Sequence, residues 1–105
     1  MKLLIALCLQ EDRQTVAAIF KKAEIGIYSA VETTGFKGFA PANLLSEWFS
    51  SSSGDAFNSA LLFSFITTQL AAKALLLVKQ HNINNPTNFP IRAFIMPVEA
   101  STYDI

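Results

Sequence analysis

Apolar residues run without interruption from Leu3 to Leu9, so Lys2–Leu9 reads as a strand covered on both faces. The period then changes. Val16, Ile19, Phe20 and Ala23 recur every three or four positions, with Glu11 and Asp12 before them and Lys21 and Lys22 near the end. Charges in that order complement a helix dipole, and the pattern predicts a helix over Glu11–Ala23. Ile25–Thr34 alternates in strand fashion, with Ile25, Ile27 and Val31 on one side and Tyr28, Ala30 and Glu32 on the other; Gly35 and Gly38 break it. Phe57–Ile66 is strand-like and apolar on both sides, Phe57, Leu61, Phe63 and Phe65 opposing Ala60, Leu62 and Ile66. Thr67 or Thr68 caps a second helix, whose inward stripe is Leu70, Ala71, Ala74, Leu75 and Val78, widened by Leu76 and Leu77. Lys79, Gln80, His81 and Asn82 finish that helix. Asn84–Pro90 reads as a loop, and Ile91–Met96 as a last strand closed by Pro97.

The order β-α-β-β-α-β is that of a ferredoxin-like plait. The expected fold is α+β, a four-stranded antiparallel sheet with two helices on one face. With 105 residues, no repeats and no linker, residues 1–105 are expected to form one domain. A sheet whose free face meets water alternates apolar and polar residues. The first and third strands do not, so further copies of the chain are expected to cover that face in a closed cyclic assembly.

Composition sharpens this. Hydrophobic residues make up 51% of the chain and charged ones 15%, against about 25% charged in an ordinary soluble domain. The apolar runs fall well short of the roughly 20 residues that span a bilayer, so no membrane insertion is expected. Met1–Cys8 has the look of a short leader, but Glu11 and Asp12 follow at once; a buried strand and a cytoplasmic protein are the preferred readings. Eight basic residues balance eight acidic ones, so no basic stripe points to nucleic acid. Cys8 is the sole cysteine and sits among aliphatic residues, where a thiol serves as a small hydrophobe.

Two short segments resemble the PII signalling proteins. Ala93–Ser101, with Phe94, Ile95 and Pro97-Val98-Glu99, is similar to that family's last strand, and Gly35-Phe36-Lys37-Gly38 is similar to the start of its long T-loop. The resemblance implies a homotrimer with sheets facing inward and a ligand pocket between subunits at the base of the loop. Basic side chains there hold the phosphates of an adenine nucleotide. Gly35, Phe36, Lys37, Asn88 and Arg92 are the ligand-binding residues it implies here, Arg92 standing where the family has a lysine. One departure is plain: the stretch before Arg92, residues 84–91, holds no glycine to bring backbone N–H groups onto a phosphate. That loop is absent or rebuilt from Asn84, Asn85, Thr87 and Asn88. The tyrosine the family modifies on its T-loop is missing too. The alternative resemblance is to CutA-like trimers linked to divalent-metal tolerance, carried by the segment from Lys79 to Glu99, in which His81 would be the metal ligand. One histidine and a distant thiol do not make a tetrahedral site.

The connection at 35–56 is long for a structureless loop. Asn43 can cap a short helix over Leu44–Phe49, which would align Leu44, Leu45, Trp48 and Phe49 on one side. Such aromatic anchors either dock on the chain's own assembly or bind a partner, and Ser50–Gly54 reads as a hinge behind them. Arg92 could instead pair with Glu32 or Glu99, and those two carboxylates fit no catalytic pattern. No nucleophile set is visible. The expected function is therefore that of a non-catalytic sensor: a trimer that binds a small anion between subunits and contacts a transporter or enzyme through the 35–56 loop.

Overall fold

The structure is a computed structural model that describes residues 1–36 and 56–103. Strand β1 (Lys2–Leu9) leads through a 3-10 turn (Gln10–Asp12) into helix α1 (Arg13–Lys22). Strands β2 (Ser29–Phe36) and β3 (Ala56–Ile66), helix α2 (Thr68–Asn84) and strand β4 (Arg92–Pro97) follow. The sheet order is β2-β3-β1-β4 and every pairing is antiparallel. This is the α+β plait that the periodicity predicts.

Register separates the two faces. Leu4, Ala6 and Cys8 of β1 and Ala60 and Leu62 of β3 are fully buried, packed with Val16 and Phe20 of α1 and Ala74 and Val78 of α2. Burying a side chain such as Phe20 or Leu62 contributes about 1.5–3 kcal/mol. Opposite pairs share a face, so the pairings Leu3↔Phe65, Ile5↔Phe63 and Leu7↔Leu61 put these residues together on the other side. Met96 and Phe94 join them from β4, and Val31 from β2. No helix of the described residues covers this face, and Phe65, Met96 and Val31 are exposed. Both central strands are thus apolar on both faces, as their unbroken patterns predict.

Several boundaries differ from the sequence reading, each for a local reason. The first turn after β1 is 3-10, so the α-helix starts at Arg13 rather than Glu11. Helix α1 ends in a Schellman pattern: Glu24 N–H donates to the Lys21 carbonyl and Ile25 N–H to that of Phe20. This consumes Ile25, which is buried against α1, and the Ile27 carbonyl accepts from Ser64 Oγ at 2.6 Å. Strand β2 therefore begins at Ser29, not Ile25, and Ile27 is left 87% exposed. Gly35 does not break the strand; it pairs with Phe57 inside it. Thr67 caps α2 by accepting from Leu70 N–H. The helix runs past His81 to Asn84, and Leu76, 55% exposed, faces away from the core it was expected to widen. Strand β4 is shifted one residue, to Arg92–Pro97; proline is tolerated there because β4 is an edge.

Candidate functional site

Chemistry-bearing side chains gather at the end of the sheet where β1 finishes and β4 begins. Gly35 lies under the Phe57 ring: a Cβ there would stand 2.5 Å from Phe57 Cε2. Phe57 in turn meets Phe89 edge-on, ring centroids 5.9 Å apart. The segment before β4 thus reaches across the end of β1 to the third strand. Asn82 holds it in place. Its amide donates to the Ile91 carbonyl at 2.8 Å, and its side-chain oxygen accepts from Ile91 N–H at 3.1 Å. Thr87 Oγ1 accepts from Phe89 N–H, and Asn85 N–H closes the helix on the His81 carbonyl. Polar side chains thus fix the backbone of this segment.

Gly35 and the neighbouring Phe36 therefore stand at one end of the sheet with the Asn88–Phe89 segment. Arg92 opens β4 on the opposite edge from β2, paired with Leu7. Three strand spacings of about 4.8 Å separate the two edges, so one chain does not bring Gly35 and Arg92 to a common ligand. Asn88 is exposed at the loop surface. Lys37, Leu44, Leu45, Trp48 and Phe49 lie outside the described residues, as do the short helix and the serine-rich hinge expected around them.

Arg92 does not pair with Glu32 or Glu99. Glu32 accepts instead from Gln10 Nε2 at 3.2 Å, and the Arg92 Nε is buried with no hydrogen-bond partner. Arg92, Lys79 and Asn82 line a groove of about 270 Å³ between α2 and the outer edge of β4, walled by Leu75, Val78 and Phe94. A second, polar depression is lined by Gln10, Glu32, Thr33, Thr34, Asn58 and Ser59. Within it the Thr33 and Ser59 hydroxyls hydrogen-bond across the β2–β3 ladder. His81 faces Asn85, its Nδ1 3.3 Å from the amide nitrogen. Among the described residues, no three His, Cys, Asp or Glu side chains gather where they could hold a metal. Burial pushes the Cys8 thiol up to about 11, aided by Asp12 and opposed by Arg13, which leaves it a protonated core group.

Asn82, Phe89 and Lys79 escape the sequence reading. Asparagine late in a helix is a poor helix former, a weak sign of tertiary duty. Phe89 reads as one more apolar loop residue. Lys79 reads as a dipole-compensating end.

No protein-family model matches the sequence, and no curated protein sequence does. Solved structures do match in fold. A PII-like signalling protein from Thermus thermophilus superposes with a TM-score of 0.60 at 11% identity, over 90% of this chain and 82% of that one. CPII, a nitrogen regulatory PII-like protein from Thiomonas intermedia whose structure holds ADP, AMP and bicarbonate, gives 0.65 at 12% identity, over 98% and 94%. The chain shares the fold of PII-like proteins. No helix of the described residues is long and apolar enough to cross a membrane.

Proposed function

We propose that this chain is a non-catalytic, PII-like regulatory protein of the cytoplasm. Three copies close their open sheet faces together, and a small anion binds in the clefts between them. The observation that carries the reading is the apolar face formed by Leu3, Ile5, Leu7, Leu61, Phe63 and Phe94, which no element of the described chain covers. Apolar surface of that extent on a free monomer is rare. Association also supplies what one chain lacks: it can set the β4 edge of one copy, with Arg92, beside the Gly35–Phe36 end of the next. Arg92 suits the role because its guanidinium gives planar, charge-assisted hydrogen bonds to phosphate or carboxylate. Lys37 and Asn88 complete the proposed ligand set. An adenine nucleotide is the first candidate, since the PII-like protein CPII binds ADP and AMP. Ligand occupancy would shift the 35–56 loop, whose Leu44, Leu45, Trp48 and Phe49 would engage a transporter or enzyme. The driving force is the difference in ligand affinity between two loop states.

Titration calorimetry of the purified protein with ADP and AMP, read together with Trp48 fluorescence, tests this. Heat of binding and a fluorescence change are expected, both weakened in Arg92→Gln. Absence of heat with either nucleotide removes the nucleotide reading.

A further inference from the structure

Helix α1 leaves a gap beside the β2 edge of the sheet. Its buried residues are Val16 and Phe20. Arg13, Ala17 and Phe20 stand four and three apart, so they form one column along the helix. Phe20 meets Tyr28 edge-on, ring centroids 5.3 Å apart, which sets this column against the start of β2. Ala30 pairs with the fully buried Leu62, so it too lies on the helix-facing side. Ala17 and Ala30 are short, and a pocket of about 300 Å³ opens between them, floored by Leu62 and bounded by Arg13, Gln14 and Tyr28. That volume is at the lower end of the roughly 300–1,000 Å³ of small-molecule sites. The lining holds no acidic residue. Arg13 makes no ion pair among the described residues. Glu32, the next residue of β2 on the same side after Ala30, is bonded to Gln10 Nε2 at 3.2 Å.

We infer that this pocket binds a small organic monocarboxylate, whose charge meets Arg13 and whose apolar body lies over Ala17, Ala30 and Leu62. A guanidinium pairs with a carboxylate through two parallel N–H···O bonds. Gln14 and the Tyr28 hydroxyl add neutral donors to the same lining. One guanidinium balances one negative charge. A phosphoryl group carries about two, and Glu32, two strand rises of about 3.3 Å beyond Ala30, opposes the second. The apolar floor selects a ligand with a hydrocarbon body over a bare ion. The pocket lies on the helix side of the sheet, opposite the face that the proposed trimer closes, so it is a site separate from the cleft around Arg92.

Protein-detected NMR titration with benzoate, a ring bearing one carboxylate, is the test. It is run on the wild type, Arg13→Gln, Arg13→Lys, Ala17→Leu and a remote charge control, Lys22→Gln, with circular dichroism to confirm that each keeps the fold. Saturable shifts are expected at the Gln14 and Ala30 amides. Arg13→Gln should weaken benzoate about tenfold, a loss typical of charge-assisted hydrogen bonds. Arg13→Lys should recover part of it, and Lys22→Gln should match the wild type. Ala17→Leu keeps every charge but fills the floor, and should weaken benzoate by about tenfold or more. Acetate and benzyl alcohol each carry half of the ligand and should bind more weakly than benzoate. A wild type without saturable shifts overturns the site, as does wild-type affinity in Arg13→Gln or in Ala17→Leu. Phenyl phosphate binding more tightly than benzoate overturns the carboxylate assignment. Calorimetry with ADP reads the Arg92 cleft instead, so failure of one reading is distinguished from failure of the other.

Discussion

Glu24 holds a left-handed backbone, φ 67°, at the position after α1 where glycine is the usual occupant. Its ion pair with Lys73 is exposed and 3.8 Å long, and such pairs contribute little. Glu24→Gly should therefore stabilise the fold by about 0.5–1 kcal/mol, read as a higher urea midpoint. Gly26, two residues on, has no positive φ and open space where a Cβ would go, so Gly26→Ala should be tolerated. Gly35 is the opposite case. Its Cβ would strike the Phe57 ring, and Gly35→Ala should cost about 1–3 kcal/mol. Phe57→Ala in the same chain should relieve part of that cost; strictly additive effects would show that the two residues do not touch. Cys8 sets a pH limit. Its thiol, ordinarily near 9.0, is raised to about 11 in the fold. The unfolded chain thus loses its proton first as pH rises, and stability should fall between about pH 9 and 11. Cys8→Ala should flatten that fall in denaturant titrations; equal slopes would exclude the thiol as its source. Of these residues, only Cys8 is legible in sequence, as a thiol in an aliphatic run. The Glu24 and Gly35 effects depend on dihedral angles and on a ring from another strand.

At the scale of elements, Asn82 ties the end of the segment between α2 and β4 to the helix. Asn82→Ala would leave both the N–H and the carbonyl of Ile91 without their partner. A loss of about 2 kcal/mol is expected, with faster hydrogen exchange at the Ile91 amide as the direct readout. Unchanged exchange would mean that the neighbouring strand holds the segment without Asn82. Element types were legible because strands one and three are strand-length segments apolar on both sides and both helices repeat apolar residues every three or four positions. Their ends were not. Strand β2 is an edge whose residues are mostly exposed, so its alternation carries no burial signal, and the Schellman turn took Ile25 from it. Leu76 shows the same limit: leucine in a helix counts toward a stripe until neighbouring elements decide which faces are used. Gly35, Phe36 and Arg92 were picked out by short motifs, and Asn88 by the loop that replaces the missing glycines. That Gly35 and Arg92 stand on opposite edges of the sheet follows only from the strand order.

For the whole molecule, the decisive feature is a sheet greasy on both sides. Ile5 sits on a central strand of the uncovered face, opposite Phe63 and Phe94. Sedimentation is expected to give a trimer, and Ile5→Glu a folded monomer or an aggregate, because a charge in that face opposes its burial. A wild-type chain that stays single at micromolar concentration would overturn the assembly. The sequence by itself determined the order of elements, the helix-facing core and the excess apolar surface, because apolar patterning is a local property that burial writes into the central strands and the helices. Tertiary structure alone decided which residues meet: Phe57 over Gly35, Phe89 against Phe57, Asn82 on Ile91. Those contacts join segments whose spacing in the chain carries no trace of their distance in space, since sheet order and register, not sequence neighbours, bring them together.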